Sequence, residues 1–147
     1  MQPARGHGKA WIMLSAIHHV AIICSDYEAS KRFYAEILQL TMVREVWRGE
    51  RRSWKCDLQL GPVQIELFSF PDPPPRPTAP EARGLRHLAF AVETLEQAIA
   101  HLQAHGVAVE PVRLDEYTGR RFTFFRDPDG LPLELYEEAG EGLGPPP

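Results

Sequence analysis

His18-His19-Val20-Ala21-Ile22 returns 68 residues later as Arg86-His87-Leu88-Ala89-Phe90. At the same offset, Gln64-Ile65-Glu66-Leu67-Phe68 falls on Pro132-Leu133-Glu134-Leu135-Tyr136. His19 therefore maps onto His87 and Glu66 onto Glu134, and in each half the histidine precedes the glutamate by 47 residues. Recurrence at one offset marks an internal duplication, so the chain reads as two copies of one unit.

Outward from these segments the pattern is regular. Ala16–Cys24 has the apolar content of a buried strand, and Ser25-Asp26 supplies a helix cap. Tyr27–Leu38 carries Ser30, Phe33, Tyr34 and Ile37 at helical spacing. Thr41–Arg48, Ser53–Leu60 and Val63–Ser69 read as three strands, punctuated by Gly49 and Gly61-Pro62. The second copy follows with a strand at Leu85–Val92 and a helix at Leu95–His105 ending at Gly106. Strands at Val109–Leu114, Arg121–Arg126 and Leu131–Tyr136 complete it, with a turn at Asp127-Pro128-Asp129-Gly130. The expected fold class is α+β, with two tandem βαβββ modules at 16–69 and 85–137.

Six prolines among the eleven residues Phe70–Pro80 exclude a regular helix or sheet, because proline donates no backbone N–H. Residues 70–84 are expected to form a stiff, extended linker; a wall or lid beside a site is the alternative, less favoured because nothing in the stretch is itself catalytic. Residues 1–15 read as a flexible N-terminal extension, with Met13 as an alternative start, and the Gly- and Pro-rich residues 138–147 as a flexible tail.

Strand parity turns the repeat into chemistry. Side chains alternate between the faces of a strand. Val20, Ile22 and Cys24 oppose His19, Ala21 and Ile23, while Leu88, Phe90 and Val92 oppose His87, Ala89 and Ala91. Ile65 and Leu67 oppose Glu66, and Leu133 and Leu135 oppose Glu134. One face of each unit can pack a helix, and the other carries His and Glu with a small alanine two residues after each histidine. Carboxylates in apolar strands are costly unless paired or bound to a cation. Convergence of His19, Glu66, His87 and Glu134 on one ion would place two negative charges against a divalent metal. Nitrogen and oxygen donors suit zinc, nickel, cobalt, manganese or iron(II). His18 is the rival to His19, but its counterpart is Arg86, which is not a usual ligand; His7, His101 and His105 have no repeat partner, and the last two are expected to be solvated.

Composition excludes several classes. The 147 residues are 44% apolar and 24% charged, which is ordinary globular usage. The net charge of −4 argues against nucleic-acid binding through a broad basic surface. No apolar run reaches the roughly 20 residues needed to span a bilayer. Cys24 and Cys56 are too few for a disulfide scaffold and read as buried thiols, which fits a cytoplasmic location.

The segments His18–Ala21, Asp26, Phe33-Tyr34, Ile65-Glu66-Leu67, Leu85–Leu88 and Asp127–Gly130 with Leu133-Glu134-Leu135 together resemble the vicinal oxygen chelate superfamily. That superfamily includes glyoxalase I, extradiol dioxygenases, methylmalonyl-CoA epimerase and the bleomycin and fosfomycin resistance proteins. The resemblance implies strands curved into an open, incomplete β-barrel around one metal, built within a chain or between the modules of a homodimer. The ligand order His19, Glu66, His87, Glu134 is similar to that of bacterial glyoxalase I. It implies one divalent ion per chain, with nickel, cobalt or zinc favoured. It also implies a lactoylglutathione-lyase type of proton transfer through an enediolate, on a small molecule such as a glutathione hemithioacetal. Glu134 would be the base and Glu66 its symmetric partner. For an anionic substrate, Arg44, Arg48, Arg51, Arg86, Arg120 and Arg121 are candidate contacts, and Trp47, Trp54, Phe122 and Phe124 candidate apolar walls. The alternatives are an iron(II) dioxygenase, against which the extra ligand Glu66 argues, and a drug-sequestering binding protein without chemistry.

Overall fold

The computed structural model describes residues 10–138. Most of the extension expected at 1–15, including His7, and most of the tail expected at 138–147 lie outside these residues. The first unit comprises β1 (His19–Cys24), α1 (Tyr27–Arg32), β2 (Thr41–Arg48), β3 (Ser53–Leu60) and β4 (Val63–Ser69). The second comprises β5 (Leu88–Val92), α2 (Leu95–Ala104), β6 (Arg113–Leu114), β7 (Arg121–Arg126) and β8 (Pro132–Glu137). Each forms its own open four-stranded sheet, in the order β1-β4-β3-β2 and β5-β8-β7-β6. The fold is mixed α+β, as the duplication predicts. In each sheet the first strand runs parallel to the last, and the remaining pairs are antiparallel.

The apolar faces do pack inward. Ile22, Cys24, Leu58, Ile65 and Leu67 are buried in the first unit, and Leu95, Leu102, Leu133 and Leu135 in the second. Asp26 caps α1 by accepting from the Ala29 N–H at 3.1 Å. The helix expected over Tyr27–Leu38 changes character after Arg32. Phe33–Ile37 form a wider π-helical turn, closed by the Leu38 N–H on the Phe33 carbonyl at 2.9 Å. The adjacent Phe33 and Tyr34 are both buried there.

The strand expected at Val109–Leu114 shrinks to Arg113–Leu114. Glu110 still donates to the Phe124 carbonyl at 2.9 Å and accepts from Thr123 Oγ1 at 2.6 Å. Pro111 follows directly and cannot continue the ladder.

The first unit's helical segment meets the second unit's Asp127–Gly130 turn. Tyr34 Oη donates to Asp127 Oδ2 at 2.8 Å, and Ser25 N donates to Asp129 Oδ2 at 3.1 Å. Phe33 packs near Phe125, with ring centroids 6.3 Å apart. His101 is half-buried rather than solvated, with Nε2 2.7 Å from the Ile37 carbonyl at the end of the π turn. His105 is exposed, as expected.

Candidate metal centre

The duplicated register places the polar residues alike. Ala21 pairs with Glu66 between β1 and β4, and Ala89 pairs with Glu134 between β5 and β8. The alanines leave space above the glutamates, and the histidine two residues before each alanine fills it from the side. His19 Nε2 lies 2.8 Å from Glu66 Oε2, and His87 Nε2 lies 2.9 Å from Glu134 Oε2. Both glutamates are only 8% exposed, so each carboxylate is held among apolar strands with an imidazole as partner.

The surroundings of the two pairs differ. On β3, Asp57 stands opposite Glu66; on β7 the corresponding residue, opposite Glu134, is Phe124. Lys55 Nζ reaches both Asp57 Oδ1 at 2.6 Å and Glu66 Oε1 at 2.7 Å. Burial alone would lower the Lys55 pKa, but its bonds to Asp57 and Glu66 outweigh that and raise it. In the second unit Phe122 takes the place of Lys55 in the register, opposite Tyr136. The Phe124 ring meets His87 edge-on, with centroids 5.1 Å apart. The first pair is thus embedded in charge and the second in aromatic surface.

The structure brings the four ligand candidates together as two pairs. Among the described residues no three His, Cys, Asp or Glu side chains converge. Each pair offers one imidazole nitrogen and one carboxylate oxygen on an open sheet face, and such donors fit a borderline divalent ion. Two such half-sites facing one another would supply four ligands. His18 stays exposed, with Nδ1 2.9 Å from His19 Nδ1.

The candidate substrate contacts divide. Arg121 is engaged by Glu137 and Glu96, at 2.5 Å each. Arg48 donates to Ser53 Oγ at 2.9 Å and covers the Phe68 ring at 4.7 Å. Arg44, Arg51 and Arg120 are exposed. Trp54 stacks on Tyr27 of α1 at 5.6 Å and touches Trp47, so both tryptophans serve the helix side. Phe122 and Phe124 do stand on the His87–Glu134 face. Arg86 lines a cavity beside His87, together with Arg76, Arg113 and Arg126, which sequence reasoning passed over. Parity along Arg121–Arg126 was the available signal, since Arg126 shares its face with Phe122 and Phe124. Another cavity, of about 440 Å³, lies between Phe33 and residues 106–110 and is lined by none of the four ligand candidates.

The family model of the Glyoxalase/Bleomycin resistance protein/Dioxygenase superfamily matches residues 16–135. The uncharacterized protein YaeR of Escherichia coli (strain K12) is 60% identical over 126 residues, covering 85% of this chain and 98% of that one. The crystal structure of a glyoxalase family protein from Enterococcus faecalis is 51% identical, with a TM-score of 0.81 over 86% of this chain and all of that one. A lactoylglutathione lyase from Agrobacterium tumefaciens shares the fold at 22% identity, with a TM-score of 0.65 over 90% of this chain and 100% of that one.

Proposed function

This chain belongs to the Glyoxalase/Bleomycin resistance protein/Dioxygenase superfamily, and from that premise we propose that it is a divalent-metal-dependent lyase or isomerase. It moves a proton between adjacent carbons of a small carbonyl compound through an enediolate. Its specific form is a lactoylglutathione-lyase type of reaction on a glutathione hemithioacetal. The observation that carries this reading is the matched pair of His–Glu contacts on two open sheet faces.

His19, Glu66, His87 and Glu134 would hold the ion, nickel, cobalt or zinc by preference. A second copy of the chain would complete each centre, the first-module pair of one protomer meeting the second-module pair of its partner. When bound, the divalent ion supplies charge stabilisation to the oxyanion that develops on the substrate.

The two glutamates divide the remaining work. Glu66 has both oxygens occupied, Oε2 by His19 and Oε1 by Lys55, and serves as a fixed ligand. Glu134 Oε2 faces His87, and Oε1 has no hydrogen-bond or ion-pair partner among the described residues. Glu134 is the base: its carboxylate takes the proton from one carbon and returns it to the next. The aromatic rings of Phe124 and Phe122 would give its side of the site an apolar wall.

The test is turnover of the methylglyoxal–glutathione hemithioacetal by the purified chain supplied in turn with nickel, cobalt and zinc. Turnover with at least one metal is expected. Absence of turnover with all three removes the glutathione form of the proposal.

A further inference from the structure

A cavity of about 420 Å³ lies beside His87. Phe124, Arg126 and Pro132 line it from the sheet, and residues 76–82 line it from the proline-rich connector. Phe124 pairs with Glu134 and Arg126 with Pro132 in the β7–β8 register, so Arg126 stands on the face that carries Glu134. The connector is pinned in place. Arg76 Nη2 donates to the Leu85 carbonyl at 2.6 Å and the Arg86 carbonyl at 3.3 Å, just ahead of His87. Prolines at 77 and 80 restrict the backbone there, so this wall is largely ordered before anything binds.

The cavity carries excess positive charge. Among the described residues, Arg76, Arg86, Arg113 and Arg126 line it against only Glu81 and Glu110. Arg86 is paired with Glu81 at 3.1 Å, and Arg113 with Glu110 at 3.5 Å. Among the described residues Arg76 and Arg126 have no carboxylate partner. The first module has no equivalent. Gln59 occupies the place of Arg126 in its register, opposite Gln64, and Lys55 is already held by Asp57 and Glu66.

We infer that this cavity receives the anionic end, a carboxylate or phosphate group, of the small molecule on which the centre acts. Arg126 is its principal donor, because a guanidinium fork matches two oxyanion oxygens. Arg113, over the Phe124 ring at 5.2 Å, adds charge while leaving an aromatic shelf for the adjoining carbons. The connector is then a wall of the substrate site. The inference rests on the proposed reading of His87 and Glu134 as site residues.

The experiment is amide NMR of the full chain titrated separately with inorganic phosphate and with acetate. Saturable shifts at Phe124, Arg126 and residues 76–82 are expected with at least one anion, and the responsive arm identifies the group. Arg126→Gln should weaken that binding about ten-fold, the loss of one charge-assisted contact, and Arg126→Lys should weaken it less. Thr78→Trp, which fills the cavity from the connector, should abolish the response. No shift with either anion, or equal affinity in wild type and Arg126→Gln, overturns the inference. Metal content measured on the same samples keeps the two readings apart. Anion binding to a chain that takes up no metal sinks the metal reading alone, and metal uptake without anion binding sinks the cavity inference alone.

Discussion

Lys55 holds Glu66 through Oε1 at 2.7 Å, on the carboxylate oxygen that His19 leaves free. The duplicated register provides no such clamp for Glu134, because an aromatic ring stands where the first module has a charge. The duplication therefore preserves the His–Glu pairs while changing what surrounds them.

The roles of the two glutamates can be resolved by isosteric replacement. Glu134→Gln should lower kcat for the hemithioacetal by between about 10²- and 10⁴-fold, the range for loss of a general base. Most of the bound metal should remain. Glu66→Gln should instead lower metal affinity first, with activity largely recovered at high metal concentration. Steady-state kinetics against metal concentration read both, and identical behaviour of the two variants contradicts the assignment.

Lys55→Met removes the cation between Asp57 and Glu66, both of which are buried. Leaving two carboxylates without it should cost about 1–3 kcal/mol, since Lys55 keeps some contact with solvent that screens the pair. Urea unfolding without metal checks this. Because the partners raise the Lys55 pKa, its contribution is complete below the lysine's ordinary value of 10.5 and is lost as pH rises through the raised one. The gap between wild type and Lys55→Met should accordingly be flat at neutral pH and narrow only in strongly alkaline solution.

Asp127 joins the two modules at Tyr34. Its carboxyl pKa is raised, chiefly by burial. It accepts from the Asp129 and Leu131 N–H groups at 2.9 Å each, and from Tyr34 Oη at 2.8 Å. A raised carboxyl pKa contributes stability below the ordinary value of 3.8, and that contribution is lost as pH rises through the raised value. Relative to Asp127→Asn, wild type should lose stability across that acidic window and run parallel above it. Tyr34→Phe should cost about 1–2 kcal/mol at neutral pH, the price of one unmade buried hydrogen bond. Denaturation series at several pH values measure both effects.

The two thiols are buried in the first module, Cys24 at 1% and Cys56 at 0% exposure. Burial pushes the Cys24 pKa up to about 11 and raises that of Cys56 as well. Neither should react with a thiol reagent at pH 8 in the native chain, and both should react in guanidinium. Rapid labelling of the native protein would count against the packing of this core.

Much of this was legible because β-strand parity is strict. His19, Ala21, Glu66 and their counterparts at 87, 89 and 134 share a face for reasons a sequence displays directly. The short β6 was not legible: Val109–Leu114 has strand composition, and Pro111 interrupts it directly after Glu110, whose N–H and carbonyl are both bonded to β7. The connector was legible only in part: its prolines forbid regular structure, but the tie of Arg76 to the Leu85 carbonyl, which fastens it just ahead of His87, has no signature in composition. The proposed joining of two His–Glu pairs in one centre would depend on how sheets meet, and no spacing within a strand encodes that.

The central claim is that His19, Glu66, His87 and Glu134 hold one ion between two copies of the chain. The most direct test mixes His19→Ala/Glu66→Ala chains with His87→Ala/Glu134→Ala chains after reversible dissociation, and measures bound metal by elemental analysis. The account predicts about one ion per wild-type chain and almost none in either variant alone. Random pairing gives half heterodimers, each with one intact centre of two, so the mixture should regain about a quarter of the wild-type content. A wild-type chain without metal, or a mixture that regains none, would contradict it.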